Sequence, residues 1–440
     1  KPWNARRVED FIIRLIMKAK TKIQKEVIGL SRKMHKLSDI QKRYAFEHCF
    51  EHLAHRNAKN VITCMECGHV WNGGSELADT LLGVVCPHCG KRLEFVVGRK
   101  RVYKEKDYFS IITTCKQYQV IRYFSVQCVR KVGLPADFSI FEVAQRWISP
   151  DGVSTTVARK RGFSFVYYDL WIPESKMEIR TNQGHYVYDI SPACYYPKQR
   201  FAKEIIRNGF DGCFHGMKPY DLFMAILNNP KHETLLKSRQ IPLLYHTLHS
   251  PEKLMRYWDS VKICIRNNYT ILDGSIWCDY IDMLRHAGKD IRNAHYVCPA
   301  NLKEAHDKLV EKRNKENHQK KVMDAKSHDE EYRKKKGRFF GLVFTDGTIK
   351  IRVLESVVEF MEEGSELHHC VYANKYYEKD NSLIFSATIE GIRMETIEVS
   401  LSKMQIVQCR GKHNGISHYH DQIMQLMKDN ICKISARMSA

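Results

Sequence analysis

Leu367-His368-His369-Cys370-Val371, Ser382–Ile389, residues 394–401 and Gln408-Cys409-Arg410-Gly411-Lys412-His413-Asn414 follow one another near the C-terminus and decide how that part of the chain folds. The two middle runs are rich in Ile, Val, Thr and Phe and are bounded by glycine or polar clusters, which is the pattern of strands. Gly391 supplies the turn between them. A third apolar run, residues 404–407, leads into Gln-Cys-Arg-Gly. The expected result is an antiparallel meander with one buried face and polar side chains gathered at the strand ends. Upstream, residues 339–344 and 348–353 flank Asp346-Gly347 as a hairpin. A helix is expected from Ser356 to Gly364 and a last one over residues 419–433.

This series carries the residue types that do chemistry. His368 and His369 can act as general acid or base, because imidazole titrates near neutrality. Cys370 can be a nucleophile if a histidine lowers its pKa. Glu398 shares a strand face with Thr396 and can transfer protons, and Arg410 can stabilise a developing phosphate charge. Lys412, His413 and Asn414 add phosphate-holding groups. The competing reading places Cys370 and Val371 in the core, Glu398 on a solvated strand and Arg410 in a turn.

The order Leu-His-His-Cys-Val, Ser-Leu-Ile-Phe-Ser-Ala, Glu-Thr-Ile-Glu-Val, Val-Gln-Cys-Arg-Gly-Lys-His-Asn and Tyr-His-Asp resembles the PcfJ-like family. The resemblance runs from the first cysteine pair to the C-terminus and is most specific after Asn301. It implies a protein of bacterial conjugative plasmids and integrative elements, similar to the long forms of Bacteroidetes. It implies no particular activity.

The chain is 440 residues long, enough for several domains. A hydrophobic fraction of 43% permits a real core, but the formal net charge of +21 is unusual. Such a charge points to an anionic partner, nucleic acid before a membrane surface. No apolar run approaches the roughly 20 residues that span a bilayer, and the N-terminus has no apolar signal core. A cytoplasmic location is therefore expected. The fifteen cysteines read as thiols and metal ligands rather than disulfides.

Residues 6–58 read as helix with a basic face that includes Arg6, Arg7, Arg14, Lys18, Lys22, Lys25, Arg32 and Lys33, a surface suited to phosphates. Cys64-x-x-Cys67 and Cys86-x-x-Cys89 follow, eighteen residues apart. Four thiolates fill a tetrahedral site and leave no open position, so structural Zn2+ is expected. Residues 95–97, 108–115, 119–129, 139–147, 154–158, 163–168 and 185–190 read as strands of a curved antiparallel sheet or small barrel. Lys100, Lys104, Arg122 and Arg130 mix there with Tyr103, Tyr108, Tyr118, Tyr123 and Phe124, a composition that can stack single-stranded bases. Residues 198–337 are mostly helical, with Pro219, Pro230 and Pro251 at helix starts. Residues 311–338 are so charged that they form either an exposed helix or a hinge.

The expected class is α+β and multidomain. The expected domains are a basic helical segment (1–60), a zinc ribbon (61–98), an antiparallel β domain (99–197), a helical domain with charged linker (198–337) and a C-terminal α+β PcfJ-like domain (338–440). The leading function is a nucleic-acid-binding accessory protein of a mobile element; DNA and RNA both fit, and other mobile-element proteins are further candidate partners. The alternative is an enzyme, a nuclease or an ADP-ribosyltransferase-like nucleotide-transferring protein, using His368, His369, Glu398 and Arg410. The sequence holds no Walker loop, dinucleotide glycine turn, HExxH or serine elbow.

Overall fold

Two ten-residue helices open the described part of the chain, α1 (Lys22–Ser31) and α2 (Asp39–His48). The computed structural model describes residues 19–73, 83–162, 170–180 and 188–439. Both helices begin with a capping box. The Thr21 and Ser38 hydroxyls accept from the Gln24 and Gln41 amides, and each glutamine side chain answers the cap amide. The second box restarts the backbone at Ser38, so the continuous helix expected over residues 6–58 is broken. Its last residues form a strand instead. Arg6, Arg7, Arg14 and Lys18 lie outside the described residues.

Strands β1 (Leu53–Arg56), β2 (Val61–Cys64), β3 (Val70–Asn72), β4 (Val84–Val85) and β5 (Arg92–Val97) form a sheet in the order β3-β2-β1-β5-β4. Only β1 and β5 run parallel within it. The larger sheet contains β6 (Val102–Cys115), β7 (Tyr118–Lys131), β8 (Asp137–Ile148) and β9 (Ser154–Ala158). The short pair β10 (Arg161–Gly162) and β11 (Leu170–Trp171) stands apart, while β12 (Glu178–Arg180) and β13 (Cys194–Tyr195) complete the order β12-β9-β8-β7-β6-β13. The expected strand over residues 163–168 lies outside the described residues, as do the first three residues of the one over 185–190.

The two opening helices cover one face of this sheet. Val27 of α1 packs with Val120, Trp147 and Val157, and Ala45 of α2 with Phe109, Phe124 and Val126. Seven helices follow among the described residues: α3 (Lys203–Arg207), α4 (Pro219–Asn228), α5 (Pro230–Lys237), α6 (Ile241–Thr247), α7 (Pro251–Arg266), α8 (Gly274–His286) and α9 (Ala294–Val297). Pro219, Pro230 and Pro251 each occupy a first helical position, where the missing N–H costs nothing.

The chain divides into two compact units, Lys1–Leu302 and Lys303–Ala440. In the second, α10 (Leu302–Ser327) and α11 (Asp329–Lys336) precede an antiparallel meander of β14 (Val343–Thr345), β15 (Ile349–Val353), β16 (Ser382–Ile389), β17 (Ile392–Ser400) and β18 (Gln405–Gly411). Helix α12 (Val357–Glu366) sits on one face and α13 (His420–Ser439) on the other. Phe385, Ile397 and Val399 pack towards Ile423 and Met427 of α13, while Ile384 packs with Val357 and Phe360 of α12. The protein is α+β. Among the described residues no helix is long and apolar enough to cross a membrane.

One buried arginine ties the small sheet to the large one. Arg130 on β7 is fully buried, donates to Glu66 at 2.8 Å, to Glu105 and to the Glu51 carbonyl, and so cannot contact a phosphate as its sequence context suggested. Glu66 lies between Cys64 and Cys67 and is itself only 5% exposed at its side chain. Glu66 keeps His52 at 3.3 Å and Lys91 at 3.8 Å when the arginine is removed, so Arg130→Ala should destabilise the first unit by about 3 kcal/mol, the lower end of the cost of breaking a buried ion pair. Urea unfolding of the variant checks this, and a loss below about 1 kcal/mol would contradict it.

Candidate functional site

The second unit builds its site from the end of α12. Ser356 caps that helix by accepting from the Glu359 amide at 3.2 Å. One stretch later Glu363 turns towards the sheet and is fully buried. The helix ends at Leu367, and His368 takes a left-handed backbone with φ 53°. The chain then doubles back so that the His369 amide reaches the Gly364 carbonyl at 3.1 Å. A Cβ on Gly364 would stand 2.9 Å from the His369 carbonyl oxygen, so this turn requires glycine.

The turn aims His369 at β17. Its Nε2 lies 2.8 Å from Thr396 Oγ1, and that hydroxyl donates to Glu363 Oε1 at 2.7 Å. Glu363 Oε2 is 2.9 Å from Arg393 Nε. When Glu363 is ionised, the threonine hydroxyl gives its one proton to the carboxylate and accepts from His369, which puts the imidazole proton on Nε2 and leaves Nδ1 as the basic nitrogen. Burial lowers the His369 pKa and raises that of Glu363 to about 7, against the hydrogen bond from Thr396 and the Arg393 charge.

Beside this chain of hydrogen bonds lies a cavity of ≈ 190 Å³. His369, Asn374, Tyr376, Glu398, Arg410 and Asn414 line it together with Cys370, Gln408 and Thr396. Glu398 is held in place: Ser382 donates to one oxygen, Gln408 to the other at 2.8 Å, and Lys379 stands 3.6 Å away. Gln408 also donates to the Tyr376 hydroxyl at 3.0 Å, and the Lys379 ammonium sits 3.2 Å above the Tyr376 ring. Arg410 is exposed at the rim and makes no ion pair among the described residues.

Three of the four residues expected to be catalytic, His369, Glu398 and Arg410, thus meet at one cavity. His368 does not line it. Its ring stacks on His413 at 4.8 Å, beside the exposed Lys412. His413 and Asn414 adopt left-handed backbones, and the His413 amide bonds to the Leu367 carbonyl at 2.8 Å. This closes the strand end over the turn and brings Asn414 to the cavity wall.

The four cysteines of the first unit also converge. The sulfurs of Cys64, Cys67, Cys86 and Cys89 lie within 4.8 Å of one another. Cys64–Cys89 and Cys67–Cys86 are 3.8 Å and 3.7 Å apart. Thiolates about 2.3 Å from a central zinc are separated by about 3.8 Å along a tetrahedral edge. Gly68 and Gly90, at φ 82° and 72°, let each loop turn back so that their amides reach the Cys64 and Cys86 carbonyls. The cluster can hold a metal ion. His69 and His88 stack on each other at 5.4 Å and are not among its donors.

The basic residues separate into two groups. Lys22, Lys25, Arg32 and Lys33 are exposed on and just beyond α1 and form no ion pair among the described residues; Lys100 and Lys104 are exposed too. Arg122 is different. It is 7% exposed and gives two hydrogen bonds to Glu142, which removes it from the phosphate-binding set. Tyr108, Tyr118, Tyr123 and Phe124 are buried, so those rings serve the core rather than base stacking. Tyr103 stays half-buried, under the Lys100 ammonium at 4.8 Å.

Residues 276–424 match the family model described as PcfJ-like protein. This part of the chain is PcfJ-like. It includes every residue that lines the cavity, while the four cysteines and α1 lie outside the matched region. An uncharacterized protein of Listeria innocua serovar 6a is 27% identical over 150 residues, which is 32% of this chain and 31% of that protein. No solved structure matches.

Sequence reasoning missed Glu363, whose neighbours Glu362 and Glu366 made it look like one more solvated helix acid. The signal was available in its spacing from Val357 and Phe360, which places it on the buried face. Its titration gives a measurable consequence. The folded state keeps this proton up to about pH 7, whereas the unfolded chain releases it near the ordinary value of 4.5. Stability therefore falls as pH rises through that window, by up to roughly 3 kcal/mol. Glu363→Gln removes the dependence. Denaturant unfolding of both proteins between pH 4.5 and 8 should show wild type losing ground to the variant, and a constant difference would contradict the assignment.

Proposed function

We propose that this chain is a nucleic-acid-binding accessory protein of a bacterial mobile genetic element, with structural Zn2+ in the four-cysteine cluster. The observation that carries this reading is the unpaired basic surface of α1. Helix α10 ties up part of its charge in pairs four residues apart, among them Lys308–Glu304, Lys315–Glu311 and Lys312–Glu316. Lys22, Lys25, Arg32 and Lys33 have no such partners among the described residues. Within a chain of net charge +21, exposed cations without an acidic partner suit a polyanion. Cluster donors that are all thiolate suit zinc and leave no position for catalysis.

Binding of this kind is driven by counterion release, so its salt dependence counts the phosphates contacted. Replacing Lys22, Lys25, Arg32 and Lys33 together by Ala should weaken binding to any sequence and lower the slope of log K against log salt by about 3–4 for duplex DNA. Fluorescence anisotropy at several salt concentrations measures this. An unchanged slope would place the contacts elsewhere.

The cavity favours a second reading, an enzyme acting on RNA, DNA or a nucleotide. His369 Nδ1 would take the proton, Arg410 would face the phosphate charge and Glu398 would orient a hydroxyl. His369→Ala should abolish turnover of a labelled RNA or dinucleotide while leaving the melting temperature within a few degrees of wild type. A collapsed melting temperature would make His369 a core residue and remove it from this role.

A further inference from the structure

We propose that Glu395, Cys409 and His420 form a second metal site, on the face of the meander opposite the cavity. The donors come from three elements: Glu395 from β17, Cys409 from β18 and His420 from the first turn of α13. Their Oε2, Sγ and Nδ1 atoms all lie within 4.8 Å of one another. Cys409 Sγ is 2.7 Å and His420 Nδ1 2.8 Å from Glu395 Oε2.

Several features fit a ligand set. Glu395 is fully buried, and His420 is its only ion-pair partner among the described residues. A cation would neutralise that carboxylate together with the Cys409 thiolate. The Ser417 amide donates to the other oxygen, Oε1, at 2.6 Å. That leaves Oε2 to point at the thiol and the imidazole, as a carboxylate ligand held from behind does. The mixture of one sulfur, one imidazole nitrogen and one carboxylate oxygen suits zinc or another borderline-soft divalent ion rather than calcium or magnesium.

Binding requires little rearrangement. Ligand atoms around zinc are roughly 3.3–3.7 Å apart, so Glu395 would withdraw from its two neighbours by less than about 1 Å. The thiol proton and any imidazole proton on Nδ1 would leave to solvent as the metal enters. The His420 side chain is 25% exposed, which gives an entry and room for a water as fourth ligand. A metal here would clamp β17, β18 and α13. Thr396 and Arg410, the cavity residues that adjoin Glu395 and Cys409 in the chain, would be fixed by it.

The test is metal content of the full-length protein after zinc loading and desalting. Wild type should hold two zinc ions per chain. Cys409→Ser and His420→Gln should each hold one, and the Cys86→Ser/Cys89→Ser variant one. Zinc content unchanged in both Cys409→Ser and His420→Gln would overturn the proposal. So would a wild-type content of one that falls to zero in the Cys86/Cys89 variant, a result that leaves the four-cysteine assignment intact. Cobalt supplies a second readout. In the Cys86/Cys89 variant, Co2+ should give a charge-transfer band for a single thiolate that vanishes when Cys409→Ser is added. Absence of that band in a variant with wild-type circular dichroism would also overturn the proposal.

Discussion

Side chains alternate along β17, and this alternation governs what the C-terminal unit can do. Ile397 and Val399 are committed to the core against α13, which sends Thr396 and Glu398 to the other face. That face belongs to α12, whose Glu363 reaches Thr396 and through it His369. The same constraint sends Glu395 down among the apolar residues, where it gathers Cys409, Ser417 and His420. A register slip of one residue would exchange the two sets and destroy both. The meander is thus a partition: polar chemistry on one side, and on the other a core with one carboxylate embedded in it.

In the first unit the comparable constraint is the fate of its arginines. Arg122 and Arg130 lie on a strand whose composition suggests a basic reading surface, yet both are buried and spent on glutamates. Breaking such pairs costs more than a phosphate contact returns. Outward charge remains on Lys100 and Lys104 and on α1, whose apolar side is fixed by Val27 against Val120 and Trp147. Arg130 also secures Glu66 inside the first cysteine loop, so the metal cluster and the large sheet share one buried ion pair.

Local signals in the sequence were legible wherever backbone chemistry set them. β16 has the bounds read from its apolar run, the helix after Ser356 starts at its cap, and three prolines stand at first helical positions. His369, Glu398 and Arg410 share one cavity because β17 pairs with β18 and the turn after α12 folds onto that face. Facing was not legible. Nothing local tells Arg122 from Lys104, because burial depends on what packs above the strand, and a bulge opposite Tyr123 and Phe124 interrupts the simple alternation of β8. The strand β1 was read as helix because its pairing with β2 and β5 is a tertiary event. Cys409 and His420 were quoted as motif residues, but only the fold brings them to Glu395.

The most direct test of the account is the nucleic acid that accompanies the protein when it is purified at moderate salt without nuclease. Extracted and sequenced, that material should be present in amounts comparable to the protein, as expected for a chain with an unpaired basic helix. Its release should be steep with salt. Protein that emerges free of both DNA and RNA under those conditions, with its four cysteines metal-loaded and its fold intact, would contradict the nucleic-acid-binding role.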